Sequence, residues 1–180
     1  TGAPGAGKST LVETLRRLDH TLLCFDMDDL LPAASALAGR DIRFVSDTWP
    51  GYNALWLSFL TLLTAQGRPV LLFAPLEPAD LVSATVPDPR ARFNWLLLDC
   101  DDVTRRRRLA TRPAWSDAMI EEALADARSL RDHIAVRIDT GRQDVQTVGR
   151  ALLARLEPPP RREALHQEVD AINEGQDDYV

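Results

Sequence analysis

Residues 1–10 read TGAPGAGKST, and the spacing within them decides the fold. Gly2-x-x-x-x-Gly7-Lys8-Ser9 is the pattern of a phosphate-binding loop, the Walker A motif. Gly2, Gly5 and Gly7 let the backbone take conformations closed to other residues and bring its N–H groups close to phosphate oxygens. Residues 9–18 then read as a helix whose positive end faces the same anion. In such a loop Lys8 reaches the β- and γ-phosphates and the Ser9 hydroxyl serves Mg²⁺; Gly5, Ala6, Gly7, Lys8, Ser9 and Thr10 form the cradle. Lys8 is the one lysine among 21 Lys and Arg residues, so a chain that writes arginine everywhere else keeps lysine here. Loops of this kind follow a buried strand. An apolar strand of about five residues is therefore expected ahead of Thr1, central in the sheet.

The rest of the composition narrows the class. A chain of 180 residues with 45% hydrophobic and 27% charged residues is one soluble domain with a real core. The net charge of −6 argues against general nucleic-acid binding. Apolar runs such as 54–65 are too short and interrupted to cross a membrane. No secretory signal is read, and Cys24 and Cys100 each sit in a strand-like run, as buried thiols do in a reducing cytosol. The expectation is a cytoplasmic protein, monomer or homodimer, with neither nucleic acid nor membrane as partner.

Strand-like and helical segments alternate along the chain. TLLCF (21–25) reads as a buried strand that delivers the acidic cluster 26–29 at its C-terminal end. Residues 32–50 read as polar and irregular, and 52–66 as a helix stopped by Gly67. Buried strands follow at 69–76 and 94–100, with one short helix within 77–91 and a Pro-rich loop around Pro87 and Pro89. Asp102 is the expected cap of a helix reaching Arg112, and Ser116 that of the next helix. Residues 135–139 give a last strand and 144–156 a last core helix. Such alternation implies an α/β fold in three layers, a parallel sheet of about five strands with helices on both faces. The domain spans 1–157. Residues 158–180 form a tail with Leu165, Val169 and Ile172 on one helical face, either solvated or packed on the domain or a second subunit. Ligands in such sheets bind outside the carboxyl ends of the strands, which gathers the phosphate loop, 26–29, 74–77, 100–102 and 140–142 on one edge.

GAPGAGKST, CFDMDD after the first helix, WLLLDCDDVTRRRRLATRP and VRIDTGR together resemble the small P-loop kinases. That group holds shikimate kinase, gluconate kinase, chloramphenicol phosphotransferase and the nucleoside and nucleotide monophosphate kinases. The nearest likeness is to actinobacterial chains labelled only as AAA-family ATPases. The resemblance covers most of residues 1–156 and implies an ATP- and Mg²⁺-dependent transfer to a hydroxyl of a small molecule. It implies that Asp26 helps Ser9 hold Mg²⁺ and that Asp28 faces the acceptor hydroxyl as base. The chemistry agrees, since a two-residue step along a strand returns to the same face. One divalent ion offsets the mutual repulsion and leaves the other carboxylate able to accept a proton. The competing role for these acids is capping, to which Asp29 is suited.

One helix cannot aim four consecutive arginines, 105–108, at one ligand, because successive residues lie about 100° apart. Arg108 and Arg112 share a face. The resemblance places such arginines in a short lid, here near 105–118, against the adenine and the transferred phosphoryl group; the other arginines are expected to be solvated or paired with neighbouring acids. Thr140, Gly141 and Arg142 are expected to border the adenine. Two departures stand out. No aspartate ends the 69–76 strand, so Asp26 must supply the Walker B carboxylate, and the arginine pattern of monophosphate kinases is missing. Arg40 and Arg43 suit an anionic acceptor, whereas Trp49, Tyr52, Trp56 and Phe73 suit an apolar pocket or, as favoured for Trp56 and Phe73, the core. His20, His133 and His166 lack metal-ligand spacing. The rival readings are a nucleoside or nucleotide monophosphate kinase and an ATP-dependent switch acting on a protein; a guanine-specific Asn-Lys-x-Asp motif is ruled out by the single lysine.

Overall fold

A computed structural model describes residues 1–68, 70–83, 93–113 and 115–156. Helix α1 (Lys8–Leu18) buries Leu11, Val12, Thr14 and Leu15, the one-sided spacing of an amphipathic helix. Strand β1 (Leu23–Asp26) follows and enters a 3₁₀ turn over Met27–Leu30. Helices α2 (Leu31–Ala38) and α3 (Trp49–Thr64) precede strand β2 (Val70–Phe73) and the short α4 (Pro78–Ser83). Then come β3 (Leu97–Asp99), α5 (Asp102–Ala110), α6 (Asp117–His133), β4 (Arg137–Asp139) and α7 (Val145–Leu153).

The strands pair in parallel, β1 with β2 from Leu23↔Val70 to Asp26↔Phe73, and β3 with β4 from Leu97↔Arg137 to Asp99↔Asp139. Helices α1 and α7 cover one face through Leu11, Leu15, Val148 and Leu152, packed on Cys24, Phe73, Leu98 and Ile138. The other face is covered by α3, through Tyr52 and Trp56, and by α6, through Ala127 and Leu130. This is the expected three-layer α/β arrangement, with four strands among the described residues. Between the two pairs, Thr1 makes one rung alongside β3: its nitrogen donates to the Leu96 carbonyl at 2.7 Å and its carbonyl accepts from Leu98 N–H at 2.8 Å. Beyond Thr1 lies an apolar cavity of about 550 Å³ between Leu71 to Phe73 on one side and Trp95, Leu96 and Leu98 on the other.

Several local expectations are corrected. Residues 32–50 are not irregular. Leu31-Pro32-Ala33-Ala34 starts α2, since Pro suits a first helical turn, and Gly39 at a φ of +66° ends it; an alanine-rich helix burying only Leu31 carries little periodic signal. Asp101, not Asp102, caps α5 by accepting the Thr104 N–H at 2.8 Å. Ser116 caps α6 as expected, accepting from Met119 N–H. Trp56 and Phe73 lie in the core, and Tyr52 with them. The loop expected around Pro87 and Pro89 and the tail over 158–180 lie outside the described residues.

Candidate active site

Gly5 and Gly7 have φ values of +81° and +87°, in the left-handed region that glycine enters without a Cβ penalty. Gly7 caps α1 with no side-chain hydrogen bond, and no acid sits in the first turn. The leading N–H groups of that helix thus lack the side-chain oxygen that ordinarily serves them, which is the vacancy a phosphate fits. The loop's carbonyls face the other way. Pro4 C=O accepts from Arg105 Nη1 at 2.6 Å, Gly5 C=O from Arg108 Nη1 at 3.1 Å, and Ala6 C=O from Thr140 Oγ1 at 2.9 Å. A trans peptide sets its C=O and the next N–H in opposite directions, so holding these oxygens on the α5 side turns the Gly5 and Gly7 N–H groups outward.

Lys8 folds back over the loop, its Nζ donating to Gly2 C=O at 2.5 Å and reaching Ala3 C=O at 3.5 Å. Burial, with the Arg105 and Arg112 charges, lowers its pKa to about 8, against the opposing pull of Asp26 and Asp28. Ser9 Oγ donates to Asp26 Oδ2 at 3.1 Å. Asp26 also closes the turn after β1, taking Asp28 N–H on Oδ1 while its own N–H donates to Asp29 Oδ2 at 2.9 Å. Arg16 reaches Asp29 and, through Nε, the Cys24 carbonyl at 2.9 Å. Asp29 therefore completes the cap, and Asp26 does both jobs: it caps, and it offers an oxygen to Ser9.

Asp28 lies in the 3₁₀ turn, not on the strand. β1 ends at Asp26, so the same-face rule for strands does not orient the pair; the turn does. Tyr52 Oη and Trp56 Nε1 both donate to the Met27 carbonyl and hold that turn against α3. Burial, then the neighbouring Asp26 charge, raises the Asp28 pKa above its ordinary value, against Lys8 and Arg43.

Across the loop, Gly5, Gly7, Thr10, Leu11, Arg108 and Arg112 line a cavity of about 340 Å³ together with Thr140, Gln143, Val145 and Val148. The guanidinium of Arg108 also donates to Thr140 C=O at 2.6 Å, and that of Arg112 sits 6.0 Å from the Trp115 ring centre. Of the residues 140–142, Thr140 alone lines this cavity. Gly141 N–H bonds the Asp139 carboxylate, and Arg142 is 85% exposed beside it. Gln143, which the sequence did not single out, lines the cavity instead.

Asp99 is the other residue that sequence reading missed. It ends β3 and takes Arg105 Nη2 at 2.6 Å and Arg131 Nε at 2.7 Å. Arg105 is fully buried, neither solvated nor paired with the 101–102 acids as expected. Its signal was available: it shares a helix face with buried Leu109, four residues on. Arg106 does pair with an acid of α6, Glu121.

No protein-family model matches the sequence, and no curated protein matches it. Solved structures do match. The chain has the fold of the small P-loop kinases. A sugar kinase from Janibacter sp. HTCC2649 superposes with a TM-score of 0.58 at 18% identity, over 85% of this chain and 89% of that one. A gluconokinase from Sinorhizobium meliloti 1021 gives 0.55 at 19%, over 86% and 87%. The shikimate kinase of Acinetobacter baumannii, in complex with shikimate, gives 0.56 at 17%, over 87% and 92%.

Proposed function

We propose that this chain is an ATP- and Mg²⁺-dependent kinase that phosphorylates a hydroxyl of a small molecule. The observation that carries this reading is the 3.1 Å contact between Ser9 Oγ and Asp26 Oδ2 at the mouth of the phosphate loop, with Asp28 two residues on. Two hard oxygens so close suit Mg²⁺, which when bound offsets charge on the phosphate oxygens. The neighbours named for sugar, gluconate and shikimate, all hydroxyl-bearing molecules, support the acceptor class.

The chain's own residues divide the work. The N–H groups of Gly5 and of residues 7–10 hold the phosphates, that of Ala6 being taken by Ala3 C=O at 3.2 Å, and Lys8 leaves the Gly2 and Ala3 carbonyls for the β- and γ-phosphate oxygens. Thr140 and Gln143 border the adenine, with Leu11, Val145 and Val148 as apolar walls; Gly141 and Arg142 stand outside. Asp28 takes the proton of the acceptor hydroxyl as the hydroxyl oxygen bonds the γ-phosphorus and the bond from that phosphorus to the β–γ bridging oxygen breaks, releasing ADP; a raised proton affinity suits Asp28 to the task. Arg108 and Arg112 stabilise negative charge on the moving phosphoryl group. The turn from α5 into α6, which carries Arg112, acts as the lid that excludes water.

ATP turnover measured against nucleosides, hydroxylated acids and antibiotics tests the proposal. Stimulation by a hydroxylated acid or antibiotic is expected. Stimulation by nucleosides alone would move the chain to the nucleoside kinases, and stimulation by none would favour an ATP-dependent switch.

A further inference from the structure

We propose that Arg105 is a positioning residue that presets the phosphate loop by gripping it from behind. The inference rests on the phosphate reading of residues 2–10 but concerns a group that never touches the nucleotide. The guanidinium of Arg105 is fully buried and branches three ways: Nη1 to Ala3 C=O at 3.2 Å, Nη1 to Pro4 C=O at 2.6 Å, and Nη2 to Asp99 Oδ1 at 2.6 Å. Its stem packs against the loop as well, for a Cβ at Gly5 would stand 3.2 Å from Arg105 Cγ. A planar fork of this kind fixes angles as well as distances.

The consequence follows from peptide geometry. With Pro4 C=O turned toward α5, the Gly5 N–H must point to the opposite side, where the phosphates bind. An empty loop free to flip that peptide would present a carbonyl dipole to an anion. Asp99 keeps the fork in place and is itself held by Arg131, whose Nε and Nη2 reach it at 2.7 and 3.2 Å. The chain thus links α6, the end of β3, α5 and the loop by charge-assisted hydrogen bonds. Because Arg131 remains on Asp99, losing Arg105 leaves no bare buried carboxylate, so variants at this position are expected to fold.

Arg105→Lys separates the fork from the charge, and Arg105→Met removes both. Three measurements apply to each full-length variant: thermal melting, binding of ATP and of tripolyphosphate (which carries the phosphates without the nucleoside), and hydrogen exchange of the loop amides. The expected result is a retained fold, tripolyphosphate affinity lower by about 10- to 100-fold in both variants, as for loss of a charged hydrogen bond, and faster exchange at Gly5 and Gly7. ATP should weaken in parallel. Parent-like affinity and exchange in Arg105→Lys would overturn the fork as the agent, as would parent-like values in Arg105→Met. A parent that holds neither anion would overturn the phosphate reading itself; faster loop exchange in Arg105→Lys would then still mark the grip.

Discussion

The phosphate side and the acid side of this site are built by different means. Behind the phosphate loop, every carbonyl from Ala3 to Ala6 is engaged by a buried or half-buried donor from α5 or from Thr140. On the acid side, the Asp26–Asp29 turn is anchored by Tyr52 and Trp56 at the Met27 carbonyl and by the half-exposed Arg16 at Asp29. The segment beyond it, leading to α3, is tied by exposed ion pairs, Arg43–Asp41 and Arg40–Asp47. Buried, branched hydrogen bonds fix a shape, whereas exposed pairs contribute little and exchange with water. On the proposed reading, the half that would hold the phosphate is the more thoroughly braced, and the half that would meet an acceptor carries the exposed pairs, with Ile42 as its core anchor.

Lys8→Ala should break the phosphate half outright. Turnover of ATP should vanish while the melting temperature stays near that of the parent, since Lys8 bonds only to carbonyls of its own loop. Turnover at the parent rate would show that the rigid half is not the nucleotide site.

Asp28→Asn tests the acid half. With ATP binding retained, phosphoryl transfer should fall by about 10²–10⁴-fold, the usual contribution of a positioned base. Asp26→Asn should instead reduce transfer and Mg²⁺ dependence together, because Asp26 shares its oxygen with Ser9. Stability gives a second readout. The Asp28 carboxyl holds its proton more tightly in the folded chain than in the unfolded one. Folded-state stability therefore falls as pH rises from the ordinary aspartate value through the raised one, and stays lower above it. Asp28→Asn should melt higher than the parent at neutral pH and show no gain in acid. A gain that persists in acid would place the effect elsewhere than in the charge.

Smaller effects sharpen the contrast. Tyr52→Phe leaves Trp56 on the Met27 carbonyl, so chemical denaturation should register a loss of about 1 kcal/mol, one hydrogen bond's worth. Arg40→Ala removes an exposed pair and should change stability by about 0–1 kcal/mol. A loss from Arg40→Ala as large as that from Tyr52→Phe would mean that the acid half is stiffer than its exposure implies.

The glycine-lysine-serine spacing made the loop legible because only a few backbone paths bring successive N–H groups onto one anion, and those paths require particular residues. The helices read at 9–18, at 52–66 and after Ser116, found at Lys8–Leu18, Trp49–Thr64 and Asp117–His133, were legible because each buries one face. Helix 31–38 was not, since its short alanine-rich stretch buries little and leaves no period to read. Asp26 and Asp28 were legible as a pair, but not the reason they sit together: a strand rule pointed to the right edge, and a capped turn does the placing.

The alternation of strands and helices outside residues 31–48, the glycine-lysine-serine loop ahead of α1 and the acids at the end of β1 were read from sequence alone, because local spacing and backbone preference act within a few residues. Which arginine serves which oxygen was decided only by the tertiary structure. Four consecutive guanidiniums on α5 are chemically alike along the chain. Helix rotation buries Arg105 beneath the loop against Asp99, turns Arg108 to Gly5 and Thr140, and sends Arg106 to Glu121. That division depends on which face of α5 meets the loop and which meets α6, and the contacts with the loop join residues about a hundred positions apart.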